Sequence, residues 1–322
     1  MRIAVYGSGA VGGYFGGRLA QSGADVVFIA RGEHLAAIRA QGLRLTSTKG
    51  DATIAPAEAT SDPAGAGPVD LVLVGVKAWQ VPEAARAMQP LIGSGTMVLP
   101  LQNGIEAPRQ LGEVIGPAHV LGGYCRLLAH VAGPGHIRHI GGEPFVGYGE
   151  MDGRASDRMR ALGAAFARAP GLASAPEPDI RAAMWTKFMF IAATSAVGAL
   201  TDTTFGQMRS RPDTRRLLEA ALTEAFEVAL ADGVGLPPDS VPATLAFVDT
   251  LPEEGTTSMH RDIAAGRPSE LEAQAGAVVR LGERLGVAVP THHRAYETLS
   301  PRERDARAAT LLYPPTAAGG RP

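Results

Sequence analysis

Two short stretches of this sequence contain residue types whose spacing could support chemistry. In MWTKFMFIAATSAVGAL, residues 184–200, one lysine interrupts an apolar run that otherwise reads as a buried helix. The chain has only three lysines, Lys49, Lys77 and Lys187, because arginine supplies almost all of its positive charge. Arginine stays protonated at any working pH, whereas a desolvated lysine can lose its proton near neutrality. Lys187 is therefore a candidate for proton exchange with a substrate. The plainer alternative is snorkelling, with its methylenes against Trp185 or Phe188 and its ammonium in water.

The second stretch is GSGAVG: Gly7, Ser8, Gly9, Ala10, Val11 and Gly12. It follows an apolar strand, IAVY, and leads into YFGGRLAQSG, a helical segment closing near Gly23. A bare G-x-G-x-x-G is weak, but between a strand and a helix it is the setting of a dinucleotide cradle. Gly7 would permit the turn, Gly9 would admit a pyrophosphate, and Gly12 would let the helix pack closely, with the anion at the helix N-terminus. The competing reading is a glycine-rich turn with no ligand. NAD-binding proteins carry an acid at the end of the second strand, about twenty residues on, for the ribose hydroxyl. Here that strand ends in Ala30-Arg31-Gly32, and a guanidinium suits the 2'-phosphate of NADP(H). Arg31 as an ordinary solvated charge is the alternative.

These residues need elements to position them. Apolar, β-branched runs at 3–6, 25–30, 70–76, 96–101 and 119–123 alternate with helical stretches, the pattern of β-α-β units in a doubly wound parallel sheet. Candidate strands at 135–141 and 143–149 read as a hairpin on the sheet edge. After PGLASAPEPDI (170–180) strand patterns give way to helical periodicity near 181–200, 214–233, 239–251 and 269–286. The reading is an α/β domain over 1–172 and an all-helical one over 173–322, with a tail poorly ordered beyond about residue 305 because PPTAAGGRP can bury little.

At 322 residues two domains are the natural expectation. A net charge of -2 gives no reason to expect nucleic acid or an anionic membrane surface. One cysteine, Cys125, cannot form an internal disulfide and reads as core, and no Cys/His grouping has metal-site spacing. MRIAVYG reads as a strand instead of a secretory leader, and no uninterrupted apolar segment reaches about 20 residues. A cytoplasmic protein acting on a small molecule, with no membrane partner and with a homodimer as one expected assembly, fits these features. His292-His293 read as part of an exposed segment.

GSGAVGG (7–13), Arg31, VKAWQ (76–80), LQNGIE (101–106), WTKF around Lys187 and SMHRDIAAGRPSE (258–270) fall in the order found in ketopantoate reductases, or 2-dehydropantoate 2-reductases, and the sequence resembles that family from residue 1 to about 300. The resemblance implies a Rossmann-type N-terminal domain, a helical C-terminal domain, NADPH-dependent reduction of a 2-oxo acid in a cleft between them, and a place in pantothenate biosynthesis. It implies Lys187 as catalytic acid, Glu270 as an acidic residue that is both catalytic and substrate-binding, Ser258 on the substrate carboxylate, and Asn103 beside the nicotinamide and the substrate. Lys77 and Gln80 match positions used near the cofactor. Each has a plainer alternative. Glu270 lies in Ser269-Glu270-Leu271-Glu272, a capping box in which Ser269 caps and Glu272 reaches back. Asn103 lies in an Asn-Gly turn pair, and Lys77 could face water.

The family presents asparagines four and eight residues after the lysine, where this chain has Ile191 and Ser195. These substrate-contacting positions imply a less polar pocket and a different selectivity. Three functions follow: ketopantoate reductase proper, a paralogous NADP-dependent reductase of another 2-oxo acid or ketone, and a non-catalytic NADP(H)-binding protein.

Overall fold

The computed structural model describes the backbone of residues 1–312 and side chains through residue 309. The expectation for PPTAAGGRP lies outside the described residues. The chain divides into two compact units, 1–102 with 106–183, and 103–105 with 184 onward.

In the first unit the order is β1 (Arg2–Tyr6), α1 (Ala10–Gln21), β2 (Asp25–Ile29), α2 (Gly32–Gln41), β3 (Leu43–Ser47), β4 (Ala52–Ile54), β5 (Glu58–Thr60), α3 (Pro63–Ala66), β6 (Val69–Val74), α4 (Val81–Ala87), β7 (Ile92–Pro100), α5 (Ala107–Ile115), β8 (Gly122–Gly133), β9 (His136–Gly149), α6 (Asp157–Ala167) and β10 (Ala173–Pro176). One sheet runs β5-β2-β1-β6-β7, parallel throughout. Its central strands are buried on both faces, which is why they read as continuous apolar runs instead of alternating ones. The connection order reverses at β1, whose neighbours β2 and β6 lead away in opposite directions. In such sheets that reversal marks the ligand crevice, outside the carboxyl ends of the strands.

The second sheet departs from the sequence reading. Residues 135–141 and 143–149 do not fold against each other; they form one strand, β9, antiparallel to β8. The turn falls instead at Pro134-Gly135, where Gly135 has φ +69°. Nor does β9 edge the parallel sheet. It lies between β10 and β3 in a mixed sheet continued by β4; of the run expected near 119–123, Val120 makes a parallel bridge to Val98 of β7, whereas Gly122 and Gly123 open β8, which pairs with β9. Residues 173–183, assigned from sequence to the second domain, group with the first unit because β10 pairs with β9.

The described part of the second unit is helical: most of α7 (Ile180–Thr201), then α8 (Phe205–Ser210), α9 (Pro212–Ala231), α10 (Ser240–Asp249), α11 (Ser258–Ala264), α12 (Ala275–Leu285) and α13 (Pro290–Leu312). Helix α7 is its core. Met189, Ala193 and Val197 pack with Leu218, Leu222 and Val248, while Ala196 and Ala199 pack with Met259, Leu271 and Leu299. By length and composition α7 could cross a membrane, but 67% of its apolar window is buried inside the protein, in keeping with the buried helix read at 184–200.

The sequence expectation for the tail is also corrected. Helix α13 continues through Leu312, and Ala306 within it is buried. Its residues Glu303 and Arg307 carry polar contacts described below. His292 is corrected likewise: it is fully buried, with Nδ1 2.7 Å from Glu224 Oε2, while His293 is exposed.

Candidate active site

The glycine loop read from sequence as a phosphate cradle lies where β1 turns into α1. Gly7 adopts φ +94°, and a Cβ there would lie 2.6 Å from a methyl of Val76 and 2.7 Å from its backbone nitrogen. A Cβ on Gly12 would lie 2.1 Å from the Gly7 carbonyl oxygen. Packing alone therefore accounts for these two glycines. Gly9 is different, because its φ of -70° suits any residue and a Cβ would meet no protein atom within 4 Å. Its missing side chain leaves open the space above the first turn of α1. That turn has no side-chain cap and no acidic residue, so its N–H groups and the positive end of the helix dipole are available to an anion. The residues present fit a dinucleotide pyrophosphate.

Of the remaining loop residues, Ser8 is buried and its hydroxyl donates to the Ile29 carbonyl at 3.2 Å, whereas Ala10 and Val11 are half-buried at the helix start. Sequence reasoning missed His34. The Gly135 N–H donates to its Nδ1 at 3.0 Å, so Nε2 carries the proton and donates to the Ser8 carbonyl at 2.8 Å. Arg31 occupies the N-cap position of α2 without a side-chain capping bond and is exposed, with a nitrogen 3.4 Å from Glu83 Oε1. Lys77 is exposed just beyond β6; its N–H donates to Gln80 Oε1 at 3.1 Å, and its ammonium lies 5.7 Å from the Trp79 ring centre.

In the second unit three residues from distant parts of the sequence join. Lys187 Nζ donates to Asn103 Oδ1 at 2.9 Å, and Asn103 Nδ2 donates to Glu270 Oε2 at 3.3 Å. An ammonium can only donate and a carboxylate can only accept, so this pairing fixes the orientation of the amide. Lys187 is half-buried with its ammonium engaged by Asn103, and Trp185 and Phe188 stack edge-on against each other. Gly104, at φ +146°, allows the approach, since a Cβ there would come within 3.2 Å of the Ala273 carbonyl.

Glu270 is 6% exposed, but the expected capping box is absent. Helix α12 begins only at Ala275, and Glu272 turns to Arg280 and Tyr296. The Ser269 hydroxyl accepts from the Leu271 N–H and donates at 2.6 Å to Glu303 Oε2. Both Glu303 oxygens accept the Ser269 N–H, at 2.9 and 3.1 Å, while Arg307 binds the Ser269 carbonyl at 3.1 Å and Glu303 at 2.6 Å. Every polar group of Ser269 is thus held by α13, which fixes the residue beside Glu270. Nothing local to Ser269 signals this clamp, because its partners lie 34 and 38 residues away.

Ile191 is half-buried one turn beyond Lys187, and Ser195, one turn further, is 1% exposed with its hydroxyl unpaired among the described residues. Gln274, whose N–H bonds the Glu270 carbonyl, is fully buried with both ends of its amide likewise unpaired. Ser258 is exposed at the start of α11, outside the Lys187–Asn103–Glu270 chain. Cys125 is buried in the core, its thiol 3.5 Å from the Leu101 carbonyl.

A parallel sheet with a vacant glycine at its first helix start, together with a lysine–amide–carboxylate chain, defines a dinucleotide-type oxidoreductase architecture. Comparison with known proteins makes this specific. Residues 3–153 match the family model described as ketopantoate reductase PanE/ApbA, and 179–303 match the model of its C-terminal part. The 2-dehydropantoate 2-reductase of Mesorhizobium japonicum is 32% identical over 312 residues, covering 90% of this chain and 94% of that one. A PanE/ApbA family ketopantoate reductase structure from Ralstonia eutropha superposes with a TM-score of 0.86 at 33% identity, covering 95% of this chain and all of that one. A D-mandelate dehydrogenase structure with NADH and anilino(oxo)acetate shares the fold at 23% identity and a TM-score of 0.84. The chain belongs to the ketopantoate reductase family and is an oxidoreductase acting on CH–OH groups.

Proposed function

We propose that this chain reduces a 2-oxo acid with NADPH, using Lys187 as the proton donor. The observation that carries this reading is the Lys187–Asn103–Glu270 hydrogen-bond chain. NADPH, when bound, supplies the hydride. As the substrate carbonyl oxygen gains charge, a cationic donor both stabilises it and delivers the proton, completing the alcohol. Asn103 holds one Nζ–H toward its amide oxygen, and Glu270 holds Asn103 in the orientation that does so. Gly7, Ser8, Gly9, Ala10, Val11 and Gly12 hold the pyrophosphate, Arg31 takes the 2'-phosphate, and Lys77 and Gln80 flank the cofactor. Ser258, Ser195 and Glu270 serve the substrate.

Ile191 favours a substrate less polar than ketopantoate, because it cannot hydrogen-bond a substrate hydroxyl. The test is steady-state kinetics on a panel of 2-oxo acids, with Lys187→Ala measured beside the wild type. The expected result is a kcat lower by about 10²–10⁴-fold in Lys187→Ala with NADPH affinity retained. A loss within a few-fold would overturn the assignment. If ketopantoate is by far the best substrate of the panel, the selectivity reading fails while the proton donor stands.

A further inference from the structure

We propose that Glu83 is a cofactor-selecting residue, a counterweight to Arg31 that disfavours the 2'-phosphate of NADPH relative to the free ribose hydroxyls of NADH. The inference rests on the reading of Arg31 as the group that meets the 2' substituent.

Arg31 follows β2, and Glu83 lies in the first turn of α4, the helix after β6. Strand β1 runs between β2 and β6 and ends at Tyr6 immediately before the glycine loop. The two charges therefore meet above the carboxyl end of β1, beside the cradle, with 3.4 Å between Arg31 Nη2 and Glu83 Oε1. Tyr6 records both: burial raises its phenol above the ordinary value, Arg31 opposes that rise and Glu83 adds to it. The side chains are 69% and 65% exposed, so either can turn to a ligand.

A phosphate monoester carries about -1.5 to -2 charges at pH 7, whereas the ribose hydroxyls carry none. A phosphate seated on Arg31 would lie beside the Glu83 carboxylate, inside the screening length of about 8 Å at physiological salt. It must displace or repel that carboxylate. NADH meets no such opposition, because its hydroxyls can donate to Glu83. In a largely aqueous setting the penalty amounts to about threefold to tenfold in the NADPH dissociation constant.

The experiment is fluorescence titration of the whole protein with NADPH and with NADH. It compares the wild type, Glu83→Gln, Arg31→Ala and, as a charge control, Glu33→Gln in the first turn of α2. In Glu83→Gln, NADPH should bind about threefold to tenfold tighter with NADH unchanged or weaker, the gain should shrink at high salt, and Glu33→Gln should move the ratio less. A ratio within twofold of wild type in Glu83→Gln, or weaker NADPH binding, would overturn the proposal. If Arg31→Ala shifts the ratio and Glu83→Gln does not, the NADPH reading stands and the role of Glu83 falls. If only Glu83→Gln shifts it, the selector is Glu83 and Arg31 is not the phosphate ligand.

Discussion

Replacing Glu303 by alanine should destabilise the helical unit and, through Ser269, loosen Glu270. The carboxylate is 7% exposed and accepts from the Ser269 N–H, the Ser269 hydroxyl and the Arg307 guanidinium. Hydrogen bonds to a charged group contribute about 1.5–3 kcal/mol each, and they share one acceptor here, so they do not sum. Removing one partner of a buried pair costs about 3–5 kcal/mol, because the other groups are left without a counterpart. The Ser269 N–H and hydroxyl would be stranded, while Arg307, about one-third exposed, could still reach water. That places Glu303→Ala in the lower half of the range, about 3–4 kcal/mol. Denaturant unfolding followed by far-UV circular dichroism gives the stability, and steady-state kinetics give KM and kcat on the folded variant. On the proposed roles, KM should rise more than kcat falls, since Ser269 adjoins Glu270 directly and reaches Lys187 only through Glu270 and Asn103. Glu303→Gln, which keeps one acceptor oxygen, should recover part of both losses. A stability loss under 1 kcal/mol together with an unchanged KM would refute the clamp.

Two further outcomes are expected. Glu224 on α9 accepts from the Thr291 and His292 N–H groups at 2.7 and 3.0 Å and from His292 Nδ1, capping the start of α13. Burial works to raise its pKa, but the bonds from His292 and Thr291 outweigh burial and hold it below the ordinary 4.5. With the folded value depressed, the unfolded state binds more protons. The contribution is therefore complete above about pH 4.5 and is lost as pH falls through the folded value. Glu224→Gln should accordingly cost about 2 kcal/mol at neutral pH and progressively less in acid, as read by urea unfolding across pH 3–7. Restoring the polar group by Ile191→Asn should raise kcat/KM for ketopantoate about tenfold or more relative to an apolar 2-oxo acid, measured by competition between the two substrates.

The parallel sheet was legible because strands buried on both faces are written as unbroken β-branched runs. Strand β5 was not, since Glu58-Ala59-Thr60 has no apolar pattern. Strand β9 was misread for a physical reason: Gly141, Gly142 and Pro144 look like a turn, yet they occupy an irregular stretch where pairing skips from Leu128↔Gly141 to Arg126↔Phe145. A proline without an N–H is tolerated where the ladder is already interrupted. In the candidate site, Lys187, Asn103 and Glu270 could be named from sequence, but their joining by one amide could not. His292 was misjudged because a histidine pair in a polar stretch carries no mark of the carboxylate 68 residues earlier that buries one of them.

The His34 contacts change what GSGAVG can be taken to be. The motif looks portable, six residues between a strand and a helix. Yet the carbonyl of Ser8 is braced by an imidazole whose other nitrogen is held by Gly135, on the turn of the second sheet and 101 residues further along the chain. The cradle is local in sequence but not in its mechanical support. A fragment ending after β7, or a graft of the first β-α-β unit into another scaffold, would keep every glycine and lose the brace.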